Sequence, residues 1–196
     1  MRSSADTPAT PSDPLDHALR AAVAAVLGLI RDRPGASVLI DGRSGAGKSS
    51  LSRRLADAWP GPGPTLLPLD AVYPGWDGLD AGAEAVIRDV LVPRSLGRDG
   101  RVSGWDWAQD RPAGHSVAPH DRGLIVEGCG ILRAESVLLA DVTVWLEAPA
   151  ATRRERALGR DGDAYRPYWD RWAAQEDEHI RRDDPQALAE LVVTLP

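Results

Sequence analysis

The segment Gly42-Arg-Ser-Gly-Ala-Gly-Lys-Ser49 fits the pattern G-x-x-x-x-G-K-[ST], and no other stretch constrains the chain as tightly. Before it stands Ser37-Val-Leu-Ile-Asp41, a short β-branched run; after it Ser49 to Trp59 reads as a helix. A strand that passes through glycines into a helix N-terminus turns its backbone N–H groups toward one point, with the helix's partial positive charge behind them. Such a P-loop is a cradle for phosphate. Gly42, Ser44, Gly45, Ala46, Gly47 and Ser50 belong to its expected nucleotide-binding wall, Lys48 reaches the β- and γ-phosphates, and Ser49 is a ligand for Mg²⁺. ATP and Mg²⁺ are therefore the expected nucleotide and metal.

Lys48 is the only lysine; the other 22 of 23 basic residues are arginine. A compact ammonium on a flexible stem appears only where the motif requires one. The same count excludes a Ras-type GTPase, whose guanine-selecting Asn-Lys-x-Asp motif needs a second lysine. Large motor, transporter and recombinase ATPases need more chain than 196 residues. A small kinase remains, one that moves the γ-phosphoryl group onto an acceptor. A regulatory nucleotide-binding protein that hydrolyses ATP slowly is the alternative from another class.

The balance of 23 basic and 29 acidic residues, a net charge of −6, argues against a general nucleic-acid binder. The longest apolar run, Ala21 to Ile30, is too short to span a bilayer and follows acidic residues, so no membrane anchor or signal peptide is expected. A lone cysteine, Cys129, makes no internal disulfide. The expectation is a cytoplasmic protein, with nothing in the sequence to fix its oligomeric state.

Residues 1–14 are rich in Pro, Ser and Thr and read as a disordered tail, and residues 15–196 read as a single domain. Asp13 is placed to cap a helix running to about Asp32. Further strands are expected at Leu66–Leu69, Gly123–Gly128, Val142–Leu146 and Leu191–Thr194. Helices are expected at Asp80–Val92, stopping at Pro93, at Pro149–Gly159 and at about Tyr165–Arg182. Residues 94–122 read as a turn-rich insertion over a site. Alternating short apolar strands and helices predict an α/β fold of three layers, α/β/α, around a five-stranded parallel sheet.

A kinase needs a carboxylate beside the acceptor hydroxyl, oxygen ligands near the metal, and positive charge over the transferring group. Asp70 ends the second strand, at the sheet edge where ligands bind, and is the candidate base; a turn or cap role is its alternative. Glu127 ends the run Leu-Ile-Val and suits a place near Mg²⁺, with Ser49 and Asp70. Arg153, Arg156 and Arg160 fall on one helix face, and Asp161-Gly162 after them suits a lid at about 153–172 that closes on the phosphates. A solvated face paired with nearby acids is the competing reading. The chain has no Phe but seven Trp. Trp76, Trp105-Asp106-Trp107, Arg166, Trp169 and Trp172 are candidates for an acceptor pocket, whereas Trp59 and Trp145 are assigned to packing.

Taken together, IDGRSGAGKSS, LPLDAVYPGW, LIVEG and LEAPAATRRERALGRDG, in this order and spacing, resemble the uridine kinase-like branch of P-loop small-molecule kinases over residues 36–195. The resemblance implies Asp70 as base, Tyr73 and Trp76 beside the acceptor, Arg156 and Arg160 on the phosphates, and a strand order of 2-3-1-4-5 with an Arg-rich lid. It favours a nucleoside as acceptor, with a nucleotide, sugar acid or coenzyme precursor as the alternatives. Residues 94–122 match no nucleoside-binding pattern, and the segment Asp70-Ala-Val-Tyr73 is less acidic than the family's usual run.

Overall fold

A computed structural model describes residues 13–31 and 33–196. Of the expected tail, residues 1–12 lie outside the described residues, as does Asp32. Asp13 and Pro14 open the first helix: Asp13 Oδ1 accepts the N–H of Leu15 at 3.1 Å, and Pro14 sits where a missing N–H costs nothing. Helix α1 (Pro14–Ile30) buries Leu19, Ala22, Val26 and Ile30, a stripe at helical spacing.

The main sheet is parallel and five-stranded, built from β1 (Ser37–Gly42), β2 (Thr65–Pro68), β5 (Leu124–Glu127), β6 (Val142–Glu147) and β7 (Leu191–Thr194) in the order β2-β5-β1-β6-β7. Counting only these strands along the chain, that order is 2-3-1-4-5, as the resemblance implied. Leu39 pairs with Val126 on one side and Thr143 on the other. The period-2 rule then sorts the side chains. Leu39, Leu124, Val126 and Trp145 face one layer, where they meet Leu79, Val86 and Trp172. Val38, Ile40, Ile125, Val142, Val144 and Leu146 face the other, where they meet α1 and α2 (Lys48–Asp57). Both faces are buried, which explains why these strands read as unbroken apolar runs instead of alternating ones.

Three local expectations need correction. Helix α3 (Leu79–Val86) does not stop before Pro93; it continues through a π-helical stretch, Ile87–Leu91, into the short α4 (Val92–Ser95). Pro93 is tolerated because it falls in the first turn of α4. The region 94–122 is not irregular: it folds into an antiparallel hairpin of β3 (Gly100–Asp106) and β4 (Arg111–Ala118). After α5 (Ala134–Val137), helix α6 (Ala150–Tyr165) runs past Gly159 with one non-helical residue, Gly162. A 3-10 turn at Arg166–Tyr168 leads into α7 (Trp169–Asp183), and α8 (Pro185–Leu188) precedes β7. Among the described residues no helix is long and apolar enough to cross a membrane.

Candidate active site

The P-loop leaves β1 at Gly42 and enters α2 at Lys48. Gly45 has φ +78° and lies so close to α6 that a Cβ there would stand 2.0 Å from the Arg153 carbonyl oxygen. Only glycine permits both the left-handed turn and the contact. Lys48 Nζ donates to the carbonyls of Gly42 (2.6 Å) and Arg43 (3.1 Å) and lies 3.4 Å from Cys129 Sγ. Burial works against the lysine's charge, but the Cys129 sulfur and the carboxylates of Glu127, Glu176 and Asp70 outweigh it and hold its pKa above the usual lysine value. Burial also pushes the Cys129 thiol up, so near neutral pH the sulfur is protonated and the carboxylates carry the attraction.

Glu127 sits at the end of β5 beside the loop, where its Oε1 accepts the Ser49 hydroxyl at 2.8 Å. Burial raises its pKa against the opposing pull of Lys48 and Ser49. Asp70 follows β2 in a 3-10 turn, Leu69–Ala71. The N-cap of this turn is Pro68, so Asp70 is not its cap residue, although it lies within the turn. The hairpin holds this turn: the Trp107 indole N–H donates to the Asp70 carbonyl at 2.7 Å.

Two cavities meet at this point. The smaller, about 330 Å³, lies over the P-loop and is lined by Gly45, Gly47, Lys48, Ser49, Ser50 and Arg156 among others. The larger, about 700 Å³, extends away between β2, the hairpin and the lid segment, past Tyr73, Trp76 and Trp107. Ser44, Ser49, Arg53, Asp70, Glu127 and Arg160 line both. A phosphate-sized space and a drug-sized space thus share a wall of two carboxylates, two hydroxyls and two guanidinium groups.

The remaining expected residues separate into those that line this site and those that support it. Arg156 Nη2 donates to the Pro196 carbonyl at 2.6 Å, while its Nη1 is buried with no hydrogen-bond partner among the described residues. Arg160 pairs with Asp161 across 2.7 Å at the lid. Arg153 lines neither cavity; it donates to the carbonyls of Ala148 and Ser44 and so fastens the loop to α6. Gly42 and Ala46 line neither as well: the Gly42 carbonyl holds Lys48, and Ala46 is packed in the core under α2. Trp105, Asp106, Arg166 and Trp169 stand away from both spaces. Asp106 accepts the N–H groups of Ala108 and Gln109 at the hairpin turn, Arg166 is exposed near Asp163, and Trp169 packs on Tyr165. Trp105 is half-buried in β3 and its indole N–H is unpaired among the described residues.

Sequence reasoning missed a buried polar set behind the loop. The Asp41 carboxylate accepts the backbone N–H of Gly42, Gly130 and Leu132, and its Oδ2 lies 3.1 Å from His179 Nε2. His179 Nδ1 in turn lies 2.8 Å from Asp183. Burial opposes the charge of His179, but the hydrogen bonds and charges of Asp41 and Asp183 raise its pKa. Glu176 Oε1 accepts the Ser44 N–H at 2.8 Å, and the Tyr165 hydroxyl donates to Ser44 Oγ at 2.9 Å. The signal was present in the spacing: Trp172, Glu176, His179 and Asp183 fall on one face of α7.

The site fits a nucleotide and a hard cation. Lys48 and Arg156 line the space over the loop and bring positive charge to it. Ser49, Glu127 and Asp70 form an all-oxygen set, the donor chemistry that Mg²⁺ prefers. Among the described residues no three His, Cys, Asp or Glu gather closely enough to hold a metal ion by themselves.

Solved structures share this architecture. A possible uridine kinase from Bacillus stearothermophilus matches with a TM-score of 0.64 at 16% identity, covering 92% of this chain and 100% of the other. The chain shares the fold of that structure. A protein from Silicibacter sp. TM1040, assigned as a fructose transport system kinase, matches with a TM-score of 0.54 at 22% identity over 91% of this chain and 98% of its own. No family model matches the sequence, and no curated protein matches it with statistical significance.

Proposed function

We propose that the protein transfers the γ-phosphoryl group of ATP to a hydroxyl of a small molecule, with residues 15–196 acting as one domain and residues 153–172 as its lid. The observation that carries this reading is the position of Asp70, on the wall shared by the P-loop space and the larger cavity. An alcohol seated in the larger cavity has a pKa far above 7 and attacks poorly unless a carboxylate accepts its proton and orients its oxygen. Asp70 supplies that carboxylate, exposed and not the cap residue of its turn. Lys48, Arg156 and Arg160 supply the positive charge for the transferring group. Mg²⁺, held through Ser49 with Glu127 and Asp70 nearby, would neutralise phosphate charge. One structural neighbour is described as a possible uridine kinase and another as a fructose transport system kinase, which supports a reading no finer than a small alcohol; the nucleoside favoured by the resemblance is one member of that class.

The test is product formation from Mg²⁺·ATP with a panel of alcohols, followed by phosphorus NMR. A phosphate-ester resonance, together with ADP release that rises with acceptor concentration, is expected. Lys48→Ala should reduce it roughly 10²–10³-fold. Slow ATP hydrolysis indifferent to every alcohol would favour the regulatory ATPase and overturn the proposal.

A further inference from the structure

The larger cavity is chemically two-ended. Beside the P-loop, α2 and α6 its polar side chains are Ser44, Ser49, Ser52, Arg53, Asp70, Glu127, Arg160 and Asp161. Its far end is walled by Leu66, Tyr73, Trp76, Trp107, Tyr165 and Trp172. The polar tips of this wall are engaged inside the protein. The Tyr73 hydroxyl donates to the Cys129 carbonyl at 2.7 Å, the Tyr165 hydroxyl to Ser44 Oγ at 2.9 Å, and the Trp107 indole N–H to the Asp70 carbonyl at 2.7 Å. Ring faces and edges are what the wall offers a ligand. They are also fixed against one another: Trp76 stacks on both Tyr168 and Tyr165, with centroids 4.4 and 5.4 Å away, and lies 4.8 Å from Trp107, and Tyr73 meets Trp172 edge-on at 4.9 Å.

A nucleobase pocket needs both donors and acceptors for the base edge, and a sugar pocket needs a partner for nearly every hydroxyl, because burying an unpaired polar group is unfavourable. The aromatic end provides neither pattern. Its further polar atoms are the indole N–H groups of Trp76 and Trp172, which can only donate. Rigid aromatic walls instead reward flat or apolar surface, and the volume of about 700 Å³ suits a body of one or two rings. Resting on the kinase reading above, we infer that the phosphoryl acceptor is an alcohol carried on an aromatic or otherwise apolar body, with its hydroxyl at Asp70 and its body against the exposed wall residues Leu66 and Trp107, rather than a nucleoside or a sugar.

The experiment compares ADP release by the full-length protein with Mg²⁺·ATP and four alcohols: indole-3-ethanol, 2-phenylethanol, uridine and fructose. The two aryl alcohols should saturate and exceed uridine and fructose by roughly 10–200-fold in kcat/KM. Leu66 is 39% exposed, outside the packed core, and holds no part of the Asp70 turn, so Leu66→Ala should stay folded and raise KM for the aryl alcohols roughly tenfold, with ATP affinity unchanged. Uridine or fructose saturating at lower concentration than either aryl alcohol would overturn this inference and leave the kinase reading standing. Stimulation by none of the four, with phosphorus NMR also silent, would overturn the kinase reading and this inference with it.

Discussion

At the scale of single residues, the chain separates a point charge from forked ones. Lys48 threads a loop whose carbonyls at Gly42 and Arg43 already hold its ammonium, so the group must be small and able to swing. Lys48→Arg puts a planar fork in the same confined space and should lose activity nearly as far as Lys48→Ala, roughly 10²-fold or more in kcat. Turnover by the Arg variant near the wild-type rate would contradict the role given to the lone lysine. Arg156 is the complementary case. Its Nη1 is buried and unpaired among the described residues, while the side chain lines the space over the P-loop. Arg156→Ala should therefore lower kcat by roughly 10²-fold while changing ATP affinity much less, as calorimetry beside single-turnover rates would show. Equal losses in both, or none in either, would return Arg156 to the solvated face. The P-loop was legible because its function is written in backbone geometry, which glycine spacing reveals. The Asp41–His179–Asp183 set was not, because it is assembled from β1 and the far end of α7, 138 residues apart.

At the scale of elements, legibility followed burial. The strands β1, β5 and β6 are apolar on both faces and stood out in the sequence. The β3–β4 hairpin did not, because β4 is exposed along nearly its whole length and β3 buries only Gly100 and Val102. With no apolar period, pairing alone defines those strands. The polar face of α7 escaped for the converse reason: Glu176 and His179 are buried, whereas periodicity readings look for apolar stripes. Gly162 shows how an element can be broken by one residue. Its φ of +55° and ψ of −133° interrupt α6 within the lid, in a region of backbone space open to glycine almost alone, and a Cβ there would meet nothing within 4 Å. Gly162→Ala thus tests backbone strain without a clash. It should cost about 1–3 kcal/mol, read as a drop in Tm of roughly 2–4 °C per kcal/mol in a chain of this size. An unchanged Tm would mean that the break in α6 is not imposed by Gly162.

At the scale of the whole molecule, His179 ties α7 to the end of β1 at the root of the P-loop. The groups facing His179 are Asp41 on β1 and Asp183 on its own helix, with Arg182 bound to Asp183. Its pKa is raised on folding, so its stabilising contribution is fully present below the unfolded value of about 6.5 and fades as pH rises through the folded value above it. Thermal stability should therefore decline as pH increases through and beyond neutrality. His179→Gln, which can still donate to Asp41, should be less stable at pH 6 but show a flatter pH dependence. Parallel Tm curves for the two proteins would remove His179 from this role. The claim that joins every scale is that the larger cavity delivers an alcohol to Asp70 beside the P-loop. Asp70→Asn keeps the size of the side chain and removes its charge, on a residue that is not the cap of its turn. The decisive measurement is acceptor-stimulated ADP release by Asp70→Asn, made beside ATP·Mg²⁺ affinity and Tm. The account predicts a fall in the stimulated rate of about 10²–10⁴-fold, with folding and nucleotide binding retained. A stimulated rate within a few-fold of the wild type would contradict it.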